Sequence, residues 1–187
     1  AQEHLELCGL HCHLGSHIFT EQPFLDAAER MLRFMEEARE RLGYTAGMLD
    51  LGGGFGVPYV DSDPDVDIEE GIRELGRYLR RRCRELALPE PMILLEPGRS
   101  IVADTMLTLY TVNHVKEIPG CRNYVSVEGG MGDNPRYALY KAPYKVVLAS
   151  RAGEKAEFCA TVSGRYCESD DRIQENVLLP RPERGEL

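Results

Sequence analysis

A carboxylate and a guanidinium follow one of the most apolar runs of the sequence. The run at residues 92–95 ends in Glu96, and Arg99 follows three residues later. Such a run predicts a buried parallel strand, and α/β folds collect their active sites where these strands end. A carboxylate there can hold a proton on a ring nitrogen, and an arginine can bind an anion. The pair indicates pyridoxal-phosphate chemistry on an amino acid.

Three consecutive glycines, Gly52, Gly53 and Gly54, follow a second apolar run. Residues without a β-carbon let backbone N–H groups approach and surround a phosphate. A tight turn that requires positive φ is the other interpretation of such a cluster. The preceding strand favours phosphate binding.

Two histidines lie two residues apart in the stretch from His11 to Ser16. Imidazoles at this spacing could hold a metal, but no third ligand lies at a suitable spacing, so we predict no metal site. We expect His13 to stack on a flat aromatic ring and Ser16 to donate to a phosphate. His11 is expected to be a hydrogen-bonded core histidine.

Two later segments carry groups that could bind an amino-acid substrate. Arg136 and Tyr140 follow a glycine-rich stretch and would suit a substrate with a second carboxylate, although the stretch alone could be any turn-rich loop. Cys167 could donate a proton to a carbanion, and Glu168 could bind an ammonium group. The acids around Cys167 permit a weak metal site, but neighbouring acids more often form a solvated turn.

Apolar periodicity predicts the elements that position these residues. Strands are expected at 5–14, 47–51 and 92–95, and helices at 23–42 and 67–88. Strand ends about 40 residues apart, with a helix in each gap, are typical of repeated βα units.

The pattern changes after residue 100, where strand-forming residues alternate with Gly and Pro. Strands are expected at 101–118, 122–128, 144–149 and 156–163. We therefore predict βα units of a barrel over residues 1–100, which bind a cofactor, and an incomplete β-rich domain over 101–187. Three βα units cannot close an eight-stranded barrel, which takes about 250 residues, so we expect the chain to be a piece of a longer protein.

Charge and cysteine usage exclude several classes of partner. The formal net charge of -9 argues against nucleic acid and anionic membrane, which require a basic surface. No apolar run approaches membrane-spanning length. The six cysteines form no CxxC pair, which favours reduced thiols and a cytoplasmic protein.

Taken in order, five motifs resemble those of the diaminopimelate decarboxylases, which belong to the alanine-racemase-like, fold-type III class of pyridoxal-phosphate enzymes. The motifs are His11–Ser16, Leu51–Gly56, Leu95–Ser100, Glu128–Tyr140 and Cys167–Ser169. The resemblance implies an α/β fold, namely the C-terminal part of a (β/α)8 barrel followed by part of a β-rich second domain. It also implies a homodimer with shared active sites.

The resemblance further implies a role for each matching residue. The cofactor, pyridoxal 5'-phosphate, would contact His13, Ser16, Gly52, Gly53, Gly54, Glu96, Gly98 and Arg99. The substrate would contact Arg99, Arg136, Tyr140 and Glu168. Cys167 would be the proton donor with Glu168 beside it, and both would be offered to the neighbouring subunit's site.

The sequence also departs from the family's motifs. The family's Schiff-base lysine is expected upstream of this chain and its late tyrosine downstream, so the chain alone should be inactive. Glu128, Tyr137 and Asp170 stand where aspartate, proline and glycine are usual. Asp170 could alter the geometry of the loop that carries Cys167.

The predicted activity of the parent protein is decarboxylation of meso-diaminopimelate to L-lysine. A decarboxylase of ornithine, arginine or a carboxylated polyamine is the alternative within the same class. A non-catalytic cofactor-binding or dimerisation module is the alternative from another class. A cofactor-free, racemase-like function is less compatible with Glu96, because that carboxylate would encourage carbanion formation.

Overall fold

The structure is a computed structural model that describes residues 3–187 and divides into two compact units. The first unit holds the described residues up to Pro58 together with Asp63–Met106, and the second holds Tyr59–Ser62 and Leu107–Leu187. Each unit is described by itself. The boundary after residue 100 stays a prediction.

The first unit is built on a three-stranded parallel sheet. Its strands lie in the order β1 (Gly9–His11), β2 (Met48–Asp50) and β3 (Met92–Leu94). Helix α1 (Gln22–Leu42) follows β1, and α2 (Ile68–Glu85) follows β2. This alternation confirms the predicted βα units.

Local sequence signals determine where the two helices begin and end. Gly43 ends α1 in the left-handed conformation with φ 65°, and its N–H donates to the carbonyl of Arg39 at 3.0 Å. At the start of α2, the side chain of Asp67 accepts from the N–H of Glu70 at 2.9 Å. Both helices lie within a few residues of their predicted bounds.

One face of the sheet packs against the two helices. Leu49 and Leu51 are fully buried against a core that includes Leu32 of α1 and Leu75 of α2. Because side chains alternate along a strand, the residues between them point to the opposite face. That face is free to carry polar groups.

The first-unit strands differ from the prediction in length and burial. The strand expected at 5–14 is paired only over Gly9–His11, and Leu5 and Leu7 are exposed. Strand β3, expected to be buried, lies at the edge of the sheet, where Met92 is 62% exposed and Ile93 36%. The prediction of burial was wrong because, within residues 3–187, β3 has a strand neighbour on one side only.

The second unit is a four-stranded sheet. Its strands lie in the order β4 (Val112–Glu117), β5 (Asn123–Val127), β6 (Phe158–Ser163) and β7 (Arg172–Leu179). Strands β4 and β5 are antiparallel, β5 and β6 are parallel, and β6 and β7 are antiparallel. The core of the unit contains Val125, Val127, Ala160 and Val162.

The second half differs from the prediction at several points, and of the strand expected at 101–118 only Val112–Glu117 forms. Residues 144–149 form no strand: the chain is irregular there and then makes a short 3-10 turn at Ala149–Arg151. Strand β7 was not predicted. Two short helices, α3 (Arg99–Val102) and α4 (Arg136–Tyr140), were not predicted either.

Within residues 3–187, no helix combines the length and apolar character that crossing a bilayer requires.

Candidate functional site

The helix-free face of the first sheet gathers polar side chains at its strand ends. The register aligns His11 with Asp50, and Asp50 with Leu94. Glu96 lies two residues beyond Leu94 and points to the same face, where its Oε2 lies 3.2 Å from Nε2 of His11. One ligand atom from each of His11, Asp50 and Glu96 lies within 4.8 Å of the others.

His11 is not a core histidine, and that prediction was wrong. Its side chain is 55% exposed, and it contacts Glu96, whose side chain is 56% exposed. Sequence reasoning also missed Asp50. The signal that could have found it is the alternation of side chains along a strand. Asp50 lies between Leu49 and Leu51, so its side chain points to the face opposite these two apolar residues.

The triple-glycine turn packs the ends of all three strands together. A β-carbon on Gly53 would overlap the carbonyl oxygen of Glu96, and one on Gly54 would overlap that of Gly15. Gly54 also has φ 97°, a backbone conformation that residues other than glycine rarely adopt. The turn therefore brings the chain after β1 and after β3 into contact with the end of β2.

Two backbone N–H groups of this turn already have acceptors within the chain. Gly52 donates to Oδ1 of Asp50 at 2.8 Å, and Gly53 donates to Nδ1 of His13 at 3.3 Å. Nδ1 of His13 is the acceptor in this contact, which leaves Nε2 as the nitrogen that carries the ring proton. The exposed ring of His13 is held at the turn.

The remaining predicted cofactor residues lie close by in sequence. Ser16 is exposed and follows Gly15, whose carbonyl abuts Gly54. Arg99 is half-buried and begins α3. A β-carbon on Gly98 would meet no atom within 4 Å, and its φ of -113° is open to any residue, so the backbone does not demand glycine there.

The cluster of His11, Asp50 and Glu96 has donor types that a divalent cation could use. Such groups commonly lie together at a surface without a metal, and two of these three are exposed. No second feature among residues 3–187 points to an ion at this cluster. It therefore carries no metal assignment.

In the second unit, the guanidinium of Arg136 is held against an aromatic ring. Arg136 is the first residue of α4, and its guanidinium carbon lies 4.6 Å from the ring centroid of Tyr59. Its Nη1 is buried and has no hydrogen-bond partner among residues 3–187. Tyr140, at the end of α4, is 74% exposed. A buried guanidinium nitrogen without an acceptor favours binding of an anion.

Tyr137 connects α4 to β7. It is 7% exposed, and its hydroxyl donates to Oε2 of Glu175 at 2.7 Å. This bond and the guanidinium groups of Arg122 and Arg172 lower the pKa of Glu175 to about 2, while burial raises the pKa of Tyr137. The carboxylate therefore stays charged and holds the helix that carries Arg136.

Cys167 and Glu168 are both exposed in the loop between β6 and β7. They belong to the second unit together with Arg136 and Tyr140, whereas His13, Ser16, the glycine turn, Glu96, Gly98 and Arg99 belong to the first. Each unit thus gathers its own group of predicted site residues.

Comparisons with known proteins agree with this combination of fold and strand-end groups. Residues 1–103 match the family described as pyridoxal-dependent decarboxylase, pyridoxal binding domain. The chain is 40% identical over 185 residues to a diaminopimelate decarboxylase of Bacillus subtilis, covering 99% of this chain and 42% of the relative. It is 42% identical over 178 residues to a diaminopimelate decarboxylase of Staphylococcus aureus, covering 95% and 41%. The chain therefore spans about two-fifths of the length of these curated relatives.

Solved structures support the same relationship. A diaminopimelate decarboxylase from M. jannaschii, in complex with L-lysine, superposes with a TM-score of 0.83 at 28% identity, covering 94% of this chain and 39% of that chain. A lysine/ornithine decarboxylase from Vibrio vulnificus, in complex with cadaverine, superposes with a TM-score of 0.82 at 27% identity, covering 96% and 47%.

The parallel sheet with alternating helices is an α/β fold of the type from which βα barrels are built. The chain belongs to the pyridoxal-dependent decarboxylases, and residues 1–103 match their pyridoxal binding domain.

Proposed function

We propose that this chain is part of a cytoplasmic, pyridoxal-phosphate-dependent amino-acid decarboxylase that converts meso-diaminopimelate to L-lysine. The curated relatives with 40% and 42% identity are diaminopimelate decarboxylases, which supports the substrate. The observation that carries the chemistry is the position of Glu96, on the helix-free face and in contact with the glycine turn. The division into a barrel domain over 1–100 and a β-rich domain over 101–187 is part of this proposal.

The strand-end residues fit pyridoxal phosphate. Gly54 of the glycine turn lies against the carbonyl of Gly15, directly before the exposed Ser16, and a glycine-rich strand end of this kind suits a phosphate. When bound, the cofactor supplies a ring that accepts the electrons left by a departing carboxylate. Glu96 would hold the proton on the ring nitrogen by charge pairing, and His13 would stack on the ring. The residues assigned to this site are His13, Ser16, Gly52, Gly53, Gly54, Glu96, Gly98 and Arg99.

Binding of the phosphate would draw on hydrogen bonds that the chain now uses internally. The N–H of Gly53 donates to His13, so a phosphate at this group would release Nδ1 of His13. The half-buried Arg99 could neutralise the phosphate or the substrate's α-carboxylate.

The second unit would recognise the far end of the substrate. Arg136 has a buried Nη1 without an acceptor, and a second carboxylate would supply one. Tyr140 could donate to the same carboxylate, and Glu168 could bind an ammonium group. Cys167 would protonate the carbon from which the carboxylate leaves. Cys167 and Glu168 would act on the neighbouring subunit of a homodimer.

The lysines of this chain support the expectation that it is inactive alone. All four, Lys116, Lys141, Lys145 and Lys155, lie outside residues 1–103, which match the pyridoxal binding domain. Three are paired with acids: Lys141 with Asp170, Lys145 with Asp61, and Lys155 with Glu157. The lysine that binds the cofactor would then come from elsewhere in the whole protein.

Release of carbon dioxide by the whole protein tests the substrate. We expect a higher kcat/KM for meso-diaminopimelate than for ornithine, arginine or a carboxylated polyamine. Replacing Arg136 with Met should lower kcat/KM for meso-diaminopimelate by about 100-fold, because the distal carboxylate loses its charged donor. The same change should leave any activity on ornithine nearly unaffected.

Arg184→Met is the matched control, because this exposed arginine forms no ion pair among residues 3–187 and lies outside the assigned residues. It should keep full activity on meso-diaminopimelate. A kcat/KM that is higher for ornithine than for meso-diaminopimelate would overturn the assignment of meso-diaminopimelate as the substrate. A cofactor-loaded protein that releases carbon dioxide from none of these compounds would instead favour a non-catalytic, cofactor-binding module.

A further inference from the structure

Two loops of the second unit lead to or carry the residues that we assign to substrate binding and proton donation. The Arg136 loop, residues 128–135, leads into α4, and the Cys167 loop, residues 164–170, connects β6 to β7. The N–H of Arg165 in the Cys167 loop donates to the carbonyl of Gly129 in the Arg136 loop at 3.0 Å. The two loops therefore contact each other directly.

Asp171 makes the closest connection between these loops. Its side chain is buried, at 3% exposure, although it follows six exposed residues. Oδ1 accepts from the N–H of Met131 in the Arg136 loop at 2.6 Å, and Oδ2 accepts from the N–H of Tyr166 in the Cys167 loop at 2.6 Å. One carboxylate thus binds both loops, with one oxygen for each.

The backbone of Asp171 adds two further bonds within the Cys167 loop. Its carbonyl accepts from the N–H of Gly164 at 2.9 Å, and its N–H donates to the carbonyl of Glu168 at 3.1 Å. These bonds close the loop around Cys167 at both ends. The position of Cys167 therefore depends on where Asp171 is anchored.

Glycines leave room for the Asp171 carboxylate in both loops. A β-carbon on Gly130 or on Gly164 would overlap the carboxylate oxygens. A buried carboxylate is costly unless hydrogen bonds compensate it, and here two backbone donors do so. The close approach on both sides fixes the separation of the two loops.

We propose that Asp171 is a positioning residue that sets the Cys167 thiol and the Glu168 carboxylate relative to Arg136 and Tyr140. This inference rests on the proposed function, which assigns those four residues to substrate and proton transfer. Asp171 itself touches neither substrate nor cofactor. It acts through the backbone of the two loops.

Asp170 adds a weaker, exposed connection between the same segments. Its Oδ1 accepts from Nζ of Lys141 at 3.2 Å, and Lys141 directly follows α4. Both side chains are more than half exposed, so solvent screens the pair. Because solvent screens this pair, Asp170 contributes little to the connection between the loops and serves as the control for Asp171.

The test replaces Asp171 with Asn in the cofactor-loaded whole protein, with Asp170→Asn as the adjacent control. An amide can present only one acceptor oxygen, so one loop loses its bond. We expect kcat per folded, cofactor-loaded molecule to fall about tenfold, with KM for meso-diaminopimelate changed less. Asp171→Glu should restore part of the loss, and Asp170→Asn should behave like the unmodified protein.

Alkylation by iodoacetamide, followed by mass spectrometry, reports on the loop without requiring activity. Cys167 should react about fivefold faster in Asp171→Asn relative to Cys121, because a released loop opens more often. Cys121 is exposed in the turn between β4 and β5 and acts as the internal reference. The alkylation ratio does not depend on which substrate the protein uses. A wrong substrate assignment can therefore be distinguished from a wrong role for Asp171.

Two outcomes would overturn the proposal. The first is an Asp171→Asn protein with unchanged kcat per folded molecule and an unchanged alkylation ratio. The second is a loss of folded protein in which the molecules that remain folded keep their kcat, since Asp171 would then be structural only. If Asp171→Asn yields no folded protein, Gly164→Ala displaces the same carboxylate without changing its charge and is judged by the same two readouts.

Discussion

Glu96 and Glu175 are both associated with strands, but their surroundings prepare them for different roles. Glu175 is enclosed by Tyr137 and two arginines, which lower its pKa to about 2 and use its oxygens within the chain. Among the described residues, the carboxylate of Glu96 forms a hydrogen bond only with His11, and its side chain is 56% exposed. The first carboxylate holds the structure together, and the second is available to a ligand.

Glu29 is a third type of carboxylate, because it connects the two long helices. Oε1 and Oε2 accept from Nη2 and Nε of Arg82 at 2.6 and 2.7 Å, and Oε2 also accepts from the hydroxyl of Tyr78 at 2.8 Å. The Arg82 guanidinium, followed by Tyr78 and Arg33, lowers the pKa of Glu29 to about 2 against the opposing effect of burial. The bonds from Arg82 and Tyr78 join α2 to α1.

The lowered pKa predicts how acid affects the stability of the protein. A carboxyl whose pKa is depressed on folding stabilises the protein above its unfolded pKa of about 4.3, and this stabilisation is lost as the pH falls towards 2. Replacing Glu29 with Gln should reduce the free energy of unfolding at pH 7 by about 1–3 kcal/mol. Urea unfolding between pH 7 and pH 2 should then show a shallower loss of stability with acid than in the unmodified protein.

Glu37→Gln is the control for this prediction, because Glu37 pairs with Arg41 on an exposed helix face. Exposed pairs typically contribute about 0–1 kcal/mol. An acid dependence that is the same with and without the Glu29 carboxylate would show that the helix contact contributes nothing through its charge.

The glycine turn is the element that positions the site, because it packs the three strand ends against one another. Replacing Gly53 with Ala places a methyl group against the carbonyl of Glu96, which is backbone and cannot move without shifting the end of β3. We expect the free energy of unfolding to fall by about 1–3 kcal/mol and the affinity of the whole protein for pyridoxal phosphate to fall with it.

The control variant for this prediction should change the free energy of unfolding in the opposite direction. A β-carbon on Gly76, within α2, would meet no atom within 4 Å. Gly76→Ala should therefore raise the free energy of unfolding by about 0.5–1 kcal/mol, because alanine favours the helix. If Gly53→Ala unfolds like the unmodified protein and binds cofactor equally well, the close packing of the turn is not what holds the site.

The sequence predicts helices better than strands in this chain. Helices α1 and α2 carry an apolar stripe with the helical period and end at recognisable residues such as Gly43. The apolar residues before Gly9 extended the first predicted strand beyond its paired length. Strand β7 escaped prediction because Arg172, Gln174 and Glu175 make it polar, and Asn176 interrupts it with φ 55°.

Contacts between distant segments explain what sequence reasoning missed at the site. Glu96 and the glycine turn stand at strand ends, so alternation and strand order alone placed them together. The contact of His11 with Glu96 joins residues 85 positions apart, and the bond from Met131 to Asp171 joins residues 40 apart. No periodic pattern records such a pair, because each depends on the register of the folded sheet.

At the scale of the whole molecule, the proposed site residues are divided between the two units. Glu96 and His13 lie in the first unit, while Arg136, Tyr140 and Cys167 lie in the second. The first unit has three parallel strands, and Met92 on its edge strand is 62% exposed. We expect further βα units of the whole protein to cover this edge and complete the barrel.

The measurement that tests the central claim most directly is the protonation of the cofactor's ring nitrogen in the whole protein. Pyridoxal phosphate labelled with nitrogen-15 at the ring should give the chemical shift of a protonated nitrogen, and Glu90→Gln, at an exposed glutamate before β3, should leave it unchanged. Glu96→Gln should move the shift to that of an unprotonated nitrogen, because the ring loses its charged partner. A protonated shift that persists in Glu96→Gln would contradict the account.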